Sequence, residues 1–123
     1  MPKVLLLEDD RDMVTLLRTF LELEGFTVRA LTLGEPVMAL VESENPDVVL
    51  LDVFLAGQNG LQILESIRAH PRLGATRVVM VSGMDVSTEC KKKGADAFLL
   101  KPYMPDELVR LLRSTAAGDP PAA

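Results

Sequence analysis

The chain has 123 residues, which is close to the usual size of one domain and long enough to bury a core. Its net charge of −5 opposes the basic surface that a nucleic-acid backbone attracts, so we expect no direct nucleic-acid binding by this segment. No apolar run approaches the ~20 residues that cross a bilayer, and no signal peptide is evident, so we expect a soluble cytoplasmic domain without membrane contact. The single cysteine, Cys90, can form no internal disulfide and is expected to be a reduced thiol.

Strand-like and helix-like patterns alternate along the whole chain, which predicts a doubly wound α/β fold. The strands are predicted at 3–8, 27–31, 47–52, 77–82 and 96–100. The helices are predicted at 11–24, 34–44, 60–70, 85–93 and 105–115. In the first helix the apolar spacing predicts one buried stripe, formed by Met13, Leu16, Leu17, Phe20 and Leu21. We expect one domain over 1–115, followed over 116–123 by a disordered tail or the start of a linker.

The apolar content of the strands predicts their order in the sheet. Strands three and four are nearly uninterrupted runs of apolar residues, so both faces should be covered and the strands should lie centrally. Strand two alternates in polarity and is placed at an edge. Right-handed crossovers then favour a parallel five-stranded sheet in the order 2-1-3-4-5, with strands one and three side by side at the switch point.

Polar side chains follow four of the predicted strands at their carboxyl ends. They are Glu8 and Asp9 after strand one, Asp52 after strand three, Ser82 after strand four and Lys101 after strand five. Because parallel strands end at the same edge of a sheet, these groups should converge on one crevice, with the acids of strands one and three adjacent.

The carboxylates of Glu8, Asp9 and Asp52 would repel one another by roughly a few kcal/mol at short range. A hard cation relieves this repulsion, and Mg²⁺ prefers oxygen ligands in an octahedral arrangement. We therefore predict a Mg²⁺ site, in which Mn²⁺ can substitute. Its direct ligands are predicted to be Asp9, Asp52 and the backbone carbonyl of Phe54, with Glu8 bound through water.

A metal also fits a nucleophilic role for Asp52, because an aspartyl phosphate is a recognised covalent intermediate whose charge must be neutralised. We assign Asp52 as the phosphoacceptor. Lys101 would supply a second cation. The Ser82 hydroxyl can donate to a phosphoryl oxygen, with help from the backbone amides of Gly83 and Met84.

In these residues the chain resembles the receiver domain of two-component response regulators, over about residues 2–115. The resemblance implies the flavodoxin-like (βα)5 sandwich of that family. The matching residues are Glu8 and Asp9 (the acidic pair), Asp52 (the phosphoacceptor), Ser82 (the conformational Ser/Thr), Lys101-Pro102 (a Lys-Pro whose peptide bond is typically cis) and Phe98 (the aromatic switch).

The resemblance implies that Asp52 receives phosphate from the phosphohistidine of a sensor histidine kinase or phosphotransfer protein, in a reaction that the receiver domain itself catalyses. We therefore expect a signalling domain rather than an enzyme that acts on other substrates. It also implies a two-state switch in which Ser82 moves toward the phosphoryl group and Phe98 turns inward. The surface of helix four, strand five and helix five would then change and be read by a downstream effector, an output domain or a second copy in a homodimer.

Some residues depart from the family pattern. Receivers usually have proline at the position of Ala56 and aspartate at that of Asn59, which predicts a looser loop after the phosphoacceptor. Phe54 places a bulky apolar side chain two residues after it, and we expect slow loss of phosphate. The segment between Ser82 and Gly94 is a few residues shorter than in most receivers, which predicts a short and weakly held helix four.

Three alternatives fit parts of the sequence. The run 10–14 matches the D-x-D-x-V pattern of haloacid dehalogenase phosphatases, but the chain is short for that fold and lacks its second acidic signature. A receiver-like interaction module without phosphorylation stays open, although the complete polar set argues against it. A flavodoxin-like cofactor carrier would need a phosphate-binding loop where this chain has acids. Asp10 is interpreted as the N-cap of helix one, and His70 as a residue away from the crevice.

Overall fold

The computed structural model describes residues 1–32, 34–55 and 57–118. Within these ranges the chain forms a five-stranded parallel sheet and a small two-stranded hairpin. The strands are β1 (Lys3–Leu7), β2 (Thr27–Ala30), β3 (Val48–Asp52), β4 (Phe54–Leu55), β5 (Gln58–Asn59), β6 (Arg77–Ser82) and β7 (Ala97–Leu100). The helices are α1 (Arg11–Leu23), α2 (Val37–Glu44), α3 (Gly60–Ala69), α4 (Ser87–Lys92) and α5 (Pro105–Ala116).

The main sheet has the order β2-β1-β3-β6-β7, with every neighbouring pair parallel. Because β4 and β5 form the separate antiparallel hairpin, this is the predicted order 2-1-3-4-5. The predicted fold class and the edge position of β2 are therefore confirmed. The effect expected of Ala56 on its loop, and the part of the predicted tail over 119–123, lie outside the described residues.

Two hydrophobic cores cover the two faces of the sheet. Successive strand residues point to opposite faces, so Leu5 and Leu7 of β1 join a core with α2, α3 and Cys90 of α4. Val4 and Leu6 of the same strand join a second core with α1 and α5. Each fully buried leucine contributes roughly 1.5–3 kcal/mol to folding, and this burial fixes the strand ends that carry the polar residues.

Helix α1 begins where the sequence predicts, and Asp10 caps it. One carboxylate oxygen, Oδ1 of Asp10, accepts hydrogen bonds from the backbone amides of Asp12 and Met13, at 3.1 and 3.2 Å. These amides are among the unpaired donors of a first helical turn, so the N-cap interpretation of Asp10 is confirmed. At the other end Gly25, with a φ of +95°, lets the chain turn back toward β2.

The predicted buried stripe of α1 is wrong at one residue. Leu17 and Leu21 are buried and Met13 and Phe20 pack partly against the same core, but Leu16 is 62% exposed. Val14 takes its place, because residues 14, 17 and 21 follow the spacing of a single helical face.

Helix α2 begins about one turn later than predicted, at Val37 instead of position 34. Gly34 has a φ of +81°, which is not helical, and Pro36 disfavours helical geometry in the residue before it, so the helix starts only after Pro36. Asn45, with a φ of 44°, ends the helix.

Helix α4 is a single short helix of 6 residues with one buried side chain, Cys90. The predicted short helix four is confirmed. Its carboxyl end is held by Arg68 of α3, whose Nε donates to the carbonyl of Gly94 at 2.9 Å and whose Nη2 lies 2.9 Å from Asp96 Oδ2. The same guanidinium donates to the carbonyls of Gly74 and Thr76, at 3.2 and 2.6 Å. No helix in the described part of the chain is long and apolar enough to span a membrane.

Candidate functional site

The carboxyl ends of β1, β3, β6 and β7 meet at one edge of the sheet, as parallel strands require. Glu8 and Asp52 are only 8% and 7% exposed there, and Ser82 is buried. Lys101 follows β7 and is half-buried. Acids, hydroxyl and ammonium therefore share one crevice.

Lys101 is the centre of this cluster. Its Nζ lies 2.6 Å from Asp52 Oδ2 and 3.5 Å from Glu8 Oε1, so one ammonium contacts carboxylates from two other strands. Burial by itself lowers the pKa of Lys101, but the hydrogen bond and charge of Asp52 and the charge of Glu8 outweigh it. The pKa of Lys101 is therefore raised, and the side chain stays cationic.

Glu8 is held by the chain that follows it. Its Oε2 accepts from the backbone amide of Asp9 at 2.9 Å, and its Oε1 faces Lys101. Burial raises the pKa of Glu8, the Lys101 charge opposes this, and the nearby charge of Asp52 adds to it. Ionisation of Glu8 is thus less favourable in the folded chain than in water, and a further cation beside it would make ionisation more favourable.

Asp52 is oriented through both of its carboxylate oxygens. Oδ1 accepts from the backbone amide of Phe54 at 2.9 Å, while Oδ2 binds Lys101. The Phe54 side chain points away from the core and is 61% exposed beside the site. Asp52 therefore presents a fixed carboxylate at the mouth of the crevice.

Gly60 is a positioning residue that the sequence reasoning missed. A Cβ at this position would lie 2.3 Å from the backbone oxygen of Asp52 and 2.8 Å from Val53 Cα, so only glycine allows α3 to approach the end of β3. Its amide donates to the carbonyl of Val53 at 2.7 Å. The signal was present: glycine directly follows Asn59, whose side chain caps α3.

Ser82 lies between the Asp52 and Lys101 strands. Its Oγ accepts from the backbone amide of Met84 at 3.1 Å, and its carbonyl accepts from the amide of Lys101 at 2.8 Å. The Met84 amide is therefore engaged by Ser82 here. Phe98 is half-buried and packs against the core shared by α2, α3 and α4, and the Lys101–Pro102 peptide bond is cis.

The side chains at this edge offer oxygen donors to a metal ion. Asp9 is exposed next to Glu8, and among the described residues no group of three or more Asp, Glu, His or Cys side chains is close enough to hold a metal ion by itself. The chemistry of the donors nevertheless suits a hard divalent cation. Glu8 and Asp52 share one ammonium, and Asp9, next to Glu8 in the chain, adds a third carboxylate, so the three acids exceed the charge of Lys101 by two.

Two other sequence features lie apart from this cluster. His70 ends α3, and its Nε2 lies 3.7 Å from Glu42 on α2. Asp10, the first acid of the D-x-D-x-V pattern, is used in capping α1. The Asp10 side chain takes no part in the Lys101 cluster, although its backbone amide lies 3.5 Å from Glu8 Oε2. The ion pair of His70 is with α2 and not with the cluster.

Comparison with known proteins agrees with this geometry. The response regulator receiver domain family matches residues 4–113. The transcriptional regulatory protein CpxR of Klebsiella pneumoniae is 34% identical over 117 residues, covering 93% of this chain and 49% of CpxR. The chain thus spans about half the length of that relative.

Solved structures are similar over nearly the whole chain. The receiver domain of the Francisella response regulator 1452 has a TM-score of 0.86 at 26% identity, covering 96% of this chain and 98% of that one. The BeF3-activated N-terminal receiver domain of Klebsiella pneumoniae RstA has a TM-score of 0.82 at 26% identity, covering 93% and 97%. The chain belongs to the receiver domain family of response regulators, the signalling domains of two-component phosphorelays.

Proposed function

We propose that Asp52 accepts a phosphoryl group from the phosphohistidine of a sensor histidine kinase or a phosphotransfer protein. The observation that carries this proposal is the Lys101 ammonium 2.6 Å from Asp52 Oδ2, with Glu8 on its other side. This arrangement places a cation beside the Asp52 carboxylate, where the charge of a transferred phosphoryl group would develop.

In the proposed reaction a carboxylate oxygen of Asp52 attacks phosphorus. The new P–O bond forms as the P–N bond of the donor breaks, and the imidazole nitrogen keeps the electron pair. Lys101 can follow an oxygen of the incoming group, because it already contacts the carboxylate that is modified. The backbone amide of Phe54 holds the carboxylate in place during the transfer.

We propose a Mg²⁺ requirement, with Mn²⁺ as a substitute, because the three carboxylates exceed the charge of Lys101. Asp9, Asp52 and the backbone carbonyl of Phe54 would hold the ion directly, and Glu8 would hold it through water. A bound divalent ion supplies charge neutralisation for the phosphoryl oxygens. The exposed position of Asp9 lets its side chain turn toward Asp52 without loss of packing.

The proposed switch uses Ser82 and Phe98. Ser82 Oγ accepts from the Met84 amide at 3.1 Å, and this hydrogen bond would break if the Ser82 side chain moved toward a phosphoryl oxygen on Asp52 to donate its O–H there. This frees that amide and removes a restraint on the segment that leads into α4. Phe98, which is half-buried, would turn inward, and the surface of α4, β7 and α5 would present a new face to an effector, an output domain or a second copy.

Intact-mass measurement after treatment with acetyl phosphate and Mg²⁺ tests the proposal. The wild-type chain should gain one phosphoryl group, and Asp52→Asn should gain none. A phosphorylated kinase or phosphotransfer protein should give the same result. Addition of beryllofluoride is a second test, because the similar RstA domain is described as BeF3-activated. Phosphorylation of Asp52→Asn to the wild-type extent would overturn the assignment.

A further inference from the structure

A groove lies on the opposite side of α1 from the α5 contact, and only its end at Glu8 and Asp9 is shared with the proposed phosphotransfer site. We call it the α1–β2 groove. It has a volume of about 1120 Å³ and is bounded by the outer face of α1, the edge strand β2 and residues 31–32 and 34–36. It lies at the free edge of the sheet, because β2 is the edge strand and has only β1 as a neighbour.

The floor of the groove is apolar and only partly covered. Val14 of α1, Val28 of β2 and Leu31 are half-buried, and all three line the groove. Apolar side chains that stay in contact with water in a concave surface favour binding of an apolar group, which would displace that water.

Two arginines of α1 stand above this floor. Arg11 and Arg18 are seven residues apart, which puts them on one helix face about two turns from each other. Among the described residues, no acidic side chain lies within 4.0 Å of either guanidinium. By contrast Arg29, on the β2 side, is paired with Glu35 at 2.8 Å and Glu44 at 3.6 Å.

The two arginines are not equivalent, because the groove has an acidic end. Glu8 and Asp9 line that end, next to Arg11, and their negative charges reduce the positive potential there. Arg18 lies farther along α1 between Thr15 and Thr19. Both threonine side chains are neutral, and their hydroxyls donate to backbone carbonyls of the preceding turn, at 3.0 and 2.9 Å.

We propose that the α1–β2 groove binds a small amphipathic organic anion, with its anionic group on Arg18 and its apolar body over Val14, Val28 and Leu31. A carboxylate, sulfonate or phosphate would pair with the planar guanidinium. The acidic end gives the ligand one orientation. The proposal does not depend on phosphorylation of the chain.

A second groove provides a contrast within the same molecule. It is lined by Met13, Leu16, Phe20 and Tyr103, with a volume of about 450 Å³. The cation at its border, Lys101, is already bound to Asp52. Among the described residues that line this groove, Lys101 is the only cation, so the groove favours apolar groups over an anion.

The test is a titration of the ¹⁵N-labelled chain followed by NMR, with two probes of similar apolar bodies. The anionic probe is 1-anilinonaphthalene-8-sulfonate, and the neutral probe is N-phenyl-1-naphthylamine. The anionic probe should shift the amides of Thr15, Arg18, Val28 and Thr32, and should saturate. Arg18→Gln should weaken its binding by about tenfold, the loss expected for one charge-assisted contact.

Arg110→Gln is the matched control, because it removes an exposed arginine from α5, outside the groove, and its binding should equal that of the wild type. Added salt should weaken binding of the anionic probe in the wild type. Equal affinity of wild type and Arg18→Gln would overturn the proposal. The proposal would also be overturned if the anionic probe shifted the amide signals of Leu16 and Tyr103 and left that of Val28 unchanged.

Discussion

Lys101 and Asp52 form an ion pair at 2.6 Å across an intervening strand, since β6 lies between the strands that carry them. The contact therefore ties three strands together at one edge of the sheet. It also makes the stability of the fold depend on the residues that the proposed reaction uses.

Replacement of Lys101 with methionine should destabilise the chain by about 2 kcal/mol, because two largely buried carboxylates lose their shared cation. Urea denaturation of the metal-free protein measures this change. In an Asp52→Asn background the same replacement should cost less, since one of the carboxylates is already neutral. Equal costs in the two backgrounds would contradict the ion-pair interpretation.

Glu8→Gln should stabilise the metal-free chain at about pH 7. Burial raises the folded-state pKa of Glu8 above its ordinary value of 4.5, so ionisation costs stability as the pH rises through the folded pKa. The variant removes that cost, and its advantage should shrink as the pH falls toward the unfolded-state value. Urea denaturation over a pH series measures it, with the exposed Glu22→Gln as control. An advantage that grows on acidification would refute the interpretation.

Gly60→Ala should destabilise the chain by about 3 kcal/mol, because its Cβ would meet backbone atoms of Asp52 and Val53 that cannot move independently of β3. Gly83→Ala is the matched control near the same site. A Cβ there has nothing within 4 Å, and the change should stay within about 0.5 kcal/mol. Thermal or urea unfolding compares the two, and similar stabilities for both variants would disprove the packing explanation.

Phe54→Asn should shorten the lifetime of the phosphorylated chain, with little effect on stability. The Phe54 side chain is 61% exposed beside Asp52, so it covers the phosphoryl position more than it supports the core. A small polar side chain would admit and orient water there. The loss of phosphate can be followed by intact mass after removal of the donor, with Phe54→Leu as an apolar control. An Asn variant that loses phosphate no faster than wild type would show that this side chain does not limit hydrolysis.

Arg68→Met should destabilise the chain by about 2–3 kcal/mol, because its guanidinium donates to three backbone carbonyls and pairs with Asp96. Hydrogen exchange should show lower protection around Gly94. Arg110→Gln, whose pair with Asp106 is long at 4.0 Å, is the exposed control. If Arg68→Met lost no more stability than Arg110→Gln, Arg68 would not anchor the end of α4.

The sheet order and the meeting of Glu8, Asp52 and Lys101 could be predicted from the sequence because they follow from rules of chain topology. Strand-end residues of a parallel sheet share one edge, whatever their detailed packing. The exposure of Leu16 could not be predicted, because Val14 and Leu16 are both apolar and only the position of the sheet selects the buried one. The role of Gly60 was missed because the Asn59-Gly60 pair indicates a helix start, whereas the contact of Gly60 with the backbone of Asp52 and Val53 is visible only in three dimensions.

The short helix α4 is fastened at Gly94 by Arg68, whereas its other end follows Ser82, whose hydroxyl binds the Met84 amide. A helix that is held at one end changes its tilt more easily than it moves along its own axis. Residues near Lys91 and Lys92 would therefore move little in such a change of tilt, whereas residues near Met84 would move most. In the proposed switch, an effector that binds near Met84 would therefore meet a larger structural change than one that binds near Lys91.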